Sequence, residues 1–140
     1  ERFWGDGHKS HWRGPAGERT LLVRETATLA NATLMTTTPK LFTGAEADLY
    51  QALEREVKLA RYGCDCYAYA MVAAGHVDCV IETGLKTVDI LPLIPIIEGA
   101  GGIVTDWDGH ALKDVGDATI RALASGDKRV HEQALNILAR

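Results

Sequence analysis

Three acidic side chains stand where an α/β protein could put them to chemical use. Asp89 lies between the glycine turn Thr83-Gly84-Leu85-Lys86 and an apolar stretch that reads as a helix running to about Gly99. A carboxylate at a helix start can accept from the free backbone N–H groups of the first turn. Held that way, it can present oxygen to a hard cation. Mg²⁺ takes such oxygen ligands, usually one or two protein carboxylates together with water and substrate phosphate. Glu82 ends the apolar strand Asp78–Glu82, and Asp65 starts a helix after Gly63. One strand end and two helix starts can converge on a single crevice, the usual ligand position beyond the strand ends of an α/β sheet. The plainer alternatives stay open on these residues alone: Asp89 and Asp65 as N-caps, Glu82 as a solvated strand terminus.

Other reactive residues fall into weaker patterns. Cys64-x-Cys66 with Cys79 lacks the four-ligand spacing of a structural zinc site, so the cysteines read as small core residues. His8 and His11 read as a wet surface pair, and no Gly-x-Ser-x-Gly segment accompanies His76, His110 or His131. Gly99-Ala100-Gly101-Gly102 closes a helix and opens a strand, the reverse of a phosphate-cradling loop. A C-terminal cap and close packing explain it better. Trp107, in the turn Asp106-Trp107-Asp108-Gly109, reads as a core plug.

The elements that must hold the three acids alternate along the chain. A hairpin around Gly5-Asp6-Gly7 is followed by the loop Gly14–Gly17, a strand over Ala32–Thr37 and a helix from about Ala45 to Ala60, with Leu49, Leu53, Val57 and Ala60 at helical spacing. A short helix from Asp65 to Ala74 closes at Gly75. The strand ending at Glu82 and the Asp89 helix come next, then the strand Ile103–Thr105, a last strand Ile120–Ala124 and the amphipathic helix Lys128–Ala139. Strands alternating with helices imply a layered α/β fold with some parallel pairing. Residues 1–31 are expected to be the end of a preceding antiparallel sheet with its connecting loop, and residues 32–140 a C-terminal α/β domain.

Composition narrows the function classes. With 19 Asp+Glu against 15 Lys+Arg and no basic cluster, a nucleic-acid partner is not expected. The longest apolar run, Ile90–Ile97, is broken by Pro92 and Pro95, so a membrane partner is not expected either. Three cysteines in 140 residues suit a reducing compartment, with the cytoplasm as the expected location. Glu1–Gly7 reads as strand running into turn, so the chain is expected to begin inside a fold.

Two blocks carry a family resemblance. Leu85-Lys86-Thr87-Val88-Asp89-Ile90, continuing through Ile96-Ile97-Glu98-Gly99-Ala100-Gly101-Gly102 to Thr105-Asp106, resembles the C-terminal signature of the inositol monophosphatase family. Arg61-Tyr62-Gly63-Cys64-Asp65-Cys66-Tyr67-Ala68-Tyr69 and Val77–Glu82 resemble its histidinol-phosphatase branch, whereas inositol-type members tend to have Gly-Ser/Thr-Ala-Ala after the arginine. The likeness is strong from about Arg61 to Gly109. It implies the C-terminal half of a layered α/β sandwich of the sugar-phosphatase type. It also implies a Mg²⁺-dependent phosphomonoesterase of histidine biosynthesis, with Asp89 as metal ligand, Glu82 and Asp65 as substrate contacts, and metal-activated water as the attacking group. Val88 stands where Trp or Tyr usually precedes the metal aspartate. The family's remaining ligands, a Glu and an Asp-Pro-x-Asp-Gly-Thr segment, belong to an N-terminal half and do not occur here. These residues alone are therefore expected to be inactive, and no catalytic residue is assigned beyond the metal ligand. The expected partners are a small phosphorylated substrate, the N-terminal half and a second copy in a homodimer. The alternatives are an inositol monophosphatase-type sugar phosphatase, or a noncatalytic α/β fragment serving in assembly.

Overall fold

Two β-sheets, with helices between and outside them, make up the computed structural model, which describes residues 1–140. The smaller sheet is an antiparallel meander of β1 (Arg2–Gly5), β2 (Ser10–Gly14) and β3 (Gly17–Thr20). The larger sheet is built from β4 (Thr33–Thr36), β5 (Leu59–Tyr62), β6 (Cys79–Leu85), β7 (Ile103–Thr105) and β8 (Ile120–Ser125), in the order β5-β4-β6-β8-β7. Strand β4 pairs in parallel with β5 and β6, while β8 runs antiparallel between β6 and β7. The helices are α1 (Ala45–Glu56), α2 (Cys66–Ala73), α3 (Thr87–Ile90), α4 (Ile94–Gly99) and α5 (Lys128–Leu138). No helix is long and apolar enough to cross a membrane.

Strand alternation divides the core in two. Along β6, Cys79 and Ile81 face one cluster with Leu34, Tyr50, Leu53 and Val130, beneath α1 and α5. Val80, between them, joins the other cluster with Val72, Ile97 and Ala122, beneath α2 and α4. Side chains two apart share a face, so Glu82 points the same way as Val80, towards α2. The small sheet packs over α4, and its Phe3 and Trp12 close the second cluster from outside.

Some sequence expectations change. Periodicity carries a helix to Ala60, but α1 ends at Glu56 and Leu59–Tyr62 becomes the edge strand β5. Pairing with β4 outweighs a helical propensity that is only a weak prior. The hairpin's return strand β2 spans Ser10–Gly14, and beyond the loop, Gly17–Thr20 adds the third strand β3. Strand β6 runs on past Glu82 to Leu85, through an irregular register between the two. The helical run at Asp89 opens two residues early, at Thr87, and reaches Gly99 through a 3₁₀ turn over Leu91–Leu93. Gly101 has φ +93°, and a Cβ on Gly102 would lie 2.6 Å from Ile97 Cγ2, so cap and packing account for those glycines.

Two polar knots tie the layers together. Buried Asp78 accepts from the Arg24 guanidinium, from Thr26 Oγ1 and from Thr33 N, the last at 2.6 Å. Burial pushes its proton affinity up, but these donors together hold it below the ordinary aspartate range. His131 is buried on α5: Thr105 Oγ1 donates to the Asp106 carbonyl, so it accepts from Nε2–H at 2.9 Å, and Nδ1 accepts from Ser125 Oγ at 3.0 Å. Burial lowers its pKa from 6.5 to about 4. An imidazole depressed on folding contributes stability above its unfolded pKa, and that contribution is lost as pH falls. We expect the intact protein to lose up to ~3 kcal/mol from this group between about pH 6.5 and pH 4. Denaturant titrations across that window measure it, and a His131→Gln variant with an equally steep acid slope would remove the assignment.

Candidate functional site

The C-terminal ends of β4 and β6 open into a cleft of about 580 Å³, lined by 13 residues that include Asp65, Glu82 and Asp89. Thr37, just past β4, and Tyr69, on α2, also face it. Thus the three acids picked from sequence share one cavity. No lysine, arginine or histidine lines it. The nearest lysine in sequence, Lys86, sends its ammonium to the Asp117 carbonyl at 3.2 Å.

Each acid is held differently. Asp89 is the third residue of the helical turn rather than its cap, and its Oδ2 accepts from the Lys86 backbone N–H at 2.8 Å. That bond fixes the carboxylate while the other oxygen makes no hydrogen bond within the chain. Capping and presentation to the cleft therefore coexist in one side chain. Asp65 occupies the N-cap position of α2 but makes no capping hydrogen bond. Its Oδ1 instead receives a long contact from Thr37 Oγ1 at 3.4 Å. The backbone that places it is strained: Cys64 has φ 71° and Asp65 φ 44°. Non-glycine residues in such regions cost of order 1–3 kcal/mol each and persist where the surroundings overdetermine them.

Glu82 is no solvated terminus. It is 2% exposed, and its Oε1 accepts from Thr37 N at 2.6 Å, while Oε2 is buried without a partner. Burial pushes its proton affinity up, against hydrogen bonding from Thr37 that pulls it down, and nearby Asp65 adds to the rise. Tyr69 was missed by sequence reasoning. The available signal was its spacing four residues after Asp65 on the same short helix.

The donor set suits a hard divalent cation. It offers carboxylate oxygens, one of them orphaned and one fixed with a free lone-pair oxygen, in a cleft without competing positive charge. It is an open set. The group whose ligand atoms lie within 4.8 Å of one another is elsewhere, at Asp106, Asp108 and His110. Those side chains are occupied in a turn: Asp106 Oδ1 accepts from the backbone N–H groups of Asp108 and His110, and Asp108 pairs with Arg121 at 3.2 Å. Mg²⁺ needs few protein ligands, and in the cleft Asp89 keeps one carboxylate oxygen free of hydrogen bonds within the chain.

Comparison with known proteins supplies a context for this geometry. Residues 6–140 match the inositol monophosphatase family. The chain is 43% identical over 141 residues to the chloroplastic bifunctional phosphatase IMPL2 of Arabidopsis thaliana, covering 93% of this chain and 41% of that protein. Its fold is similar to that of an inositol monophosphatase from Zymomonas mobilis, with TM-score 0.82 and 34% identity over 87% of this chain and 47% of the other. A staphylococcal IMPase-II shares the fold at TM-score 0.78 and 16% identity, over 94% of this chain and 52% of its own. The chain thus spans about half the length of these relatives.

The buried acid has a stability consequence. A carboxyl whose pKa rises on folding favours the fold below its unfolded pKa, and that contribution is lost as pH rises through the folded value. At neutral pH an ionised Glu82 is therefore a net cost. Glu82→Gln retains an acceptor for Thr37 N and removes the charge. The variant of the intact protein should be more stable at pH 7 by ~1 kcal/mol, with the gain vanishing below the unfolded value of 4.5. Chemical denaturation at the two pH values reads this, and a destabilised variant at pH 7 would contradict it.

Proposed function

The chain belongs to the inositol monophosphatase family, and on that premise we propose that it is the C-terminal half of a Mg²⁺-dependent phosphomonoesterase acting on histidinol phosphate. The observation that carries the reading is the charge of the cleft: Asp65, Glu82 and Asp89 line it and no basic side chain does. A dianionic phosphoester would be repelled from such a wall. A divalent cation and a cationic amine on the substrate would both be drawn to it.

On this reading Asp89 holds the metal with the oxygen that its backbone bond leaves free. Magnesium, when bound, supplies positive charge to the phosphate oxygens and acidifies the attacking water. Asp65, at the exposed rim, pairs with the protonated amine of the substrate. Glu82, deeper, accepts from a polar group of the organic part. Leu41, Val88 and Leu93 line the same cleft and give it an apolar wall beside the acids. These are positioning effects, which lower the barrier by holding the reacting ester in place. The remaining acidic ligands would come from the N-terminal half of the protein, and a homodimer is part of the proposal. Its three cysteines, all free, suit a reducing compartment such as the cytoplasm.

The test is phosphate release by the full-length protein from histidinol phosphate and from inositol monophosphate, with and without Mg²⁺. Histidinol phosphate should be the better substrate, chelation should abolish turnover, and Asp89→Asn should lower it by roughly 100-fold or more. No release from either ester would remove the phosphatase reading; preference for the inositol ester would favour an inositol monophosphatase-type enzyme. Asp65→Asn should lower kcat/KM on the amine-bearing ester by about tenfold, the scale of a charge-assisted hydrogen bond. Equal losses on both esters would take the amine-binding role away from Asp65.

A further inference from the structure

Thr36 Oγ1, Tyr69 Oη and Glu82 Oε2 are the three buried side-chain polar atoms that find no hydrogen-bond partner in the chain. Native folds keep few such atoms, because each has given up water for nothing. These three are not scattered. Thr36 ends β4, one residue before the Thr37 N–H that binds the other oxygen of Glu82. Tyr69 and Glu82 both line the cleft.

Tyr69 is 3% exposed. Burial, and then the charges of Glu82 and Asp89, hold its phenol proton well above the ordinary range. Tyr69 lies on α2 and, like Glu82, lines the cleft, and its phenol keeps its proton at any working pH. Glu82 Oε2 is an acceptor when ionised. A donor and an acceptor, on two residues that line one cleft, are thus left without partners in the chain.

We propose that Tyr69 is a specificity-determining residue: its hydroxyl donates to, while Glu82 Oε2 accepts from, one flat substrate group carrying both an acceptor and a donor, as the two nitrogens of a neutral imidazole-type ring do. The apolar side chains of Leu41, Leu85, Val88 and Leu93 around the cleft suit the carbon edges of such a ring. They would leave the many hydroxyls of a polyol without partners. The inference rests on the histidinol-phosphate reading above for the orientation of the substrate, with the amine at Asp65 and the ring at Tyr69.

The test measures binding of two amino alcohols to the intact protein by calorimetry. Histidinol carries the imidazole; phenylalaninol has a ring of similar size without nitrogens. The unmutated protein should bind histidinol about tenfold more tightly, and Tyr69→Phe should erase most of that difference by weakening histidinol alone. Equal weakening of both ligands would mean that the tyrosine only supports the fold. No weakening of either would mean that the hydroxyl is satisfied by water, and either result overturns the proposal. The comparison of the two ligands on the unmutated protein needs no variant, and indifference between them also overturns it. Because neither ligand is a phosphoester, a protein that binds histidinol through Tyr69 without hydrolysing its phosphate would refute the phosphatase reading and leave this one standing.

Discussion

The position of Glu82 on its strand is the constraint around which the cleft is organised. Strand β6 is central, and its residues from Cys79 to Glu82 are buried whichever face they take. The two-residue period that sends Cys79 and Ile81 under α1 and α5 sends Val80 and Glu82 under α2. A carboxylate is thereby driven into the interior at the point where β4 stops and the crevice begins. Its one secure partner, the Thr37 N–H, comes from the chain leaving β4. The parallel pairing of β4 with β6 is what brings that donor within reach.

The contrast with Asp78 shows what is unusual here. Both acids are almost wholly buried, and they sit four residues apart on the same run of chain. Asp78 is answered by Arg24, Thr26 and Thr33, and stays ionised below the ordinary range. Its role is to bind the connecting segment to the sheet. Glu82 has one oxygen answered, and burial raises its proton affinity. Breaking a satisfied buried pair costs a fold dearly, whereas an acid left half satisfied already carries that cost. The cleft carries further strain at Cys64 and Asp65, whose left-handed backbones aim an acid across the opening. Half-satisfied charge and strained backbone thus meet at one cleft.

Much of this was legible in the residues. The strand alternation, the helix ends at Gly75 and Gly99 and the plugging role of Trp107 all follow from local patterns. Trp107 is 2% exposed, and its indole N–H reaches the Ala122 carbonyl at 3.3 Å. What local pattern could not give were the outcomes of competition. Leu59–Tyr62 continues a helical period, yet it pairs with β4, because an unpaired strand edge outbids one more helical turn. Asp89 looked like a cap or a ligand; its two oxygens allow both. Asp65 takes the cap position, but its side chain does not cap.

Residue types and spacing by themselves determined the α/β class, the acidic character of the site and the family likeness, because these depend on periodicities and on short motifs that every copy of the chain carries along its length. Only the tertiary structure decided that Glu82 is interior, that Tyr69 joins it, and that no basic group enters the cleft. Burial and partnership belong to atoms brought together from β4, α2, β6 and α3, and sequence order does not record which of them meet.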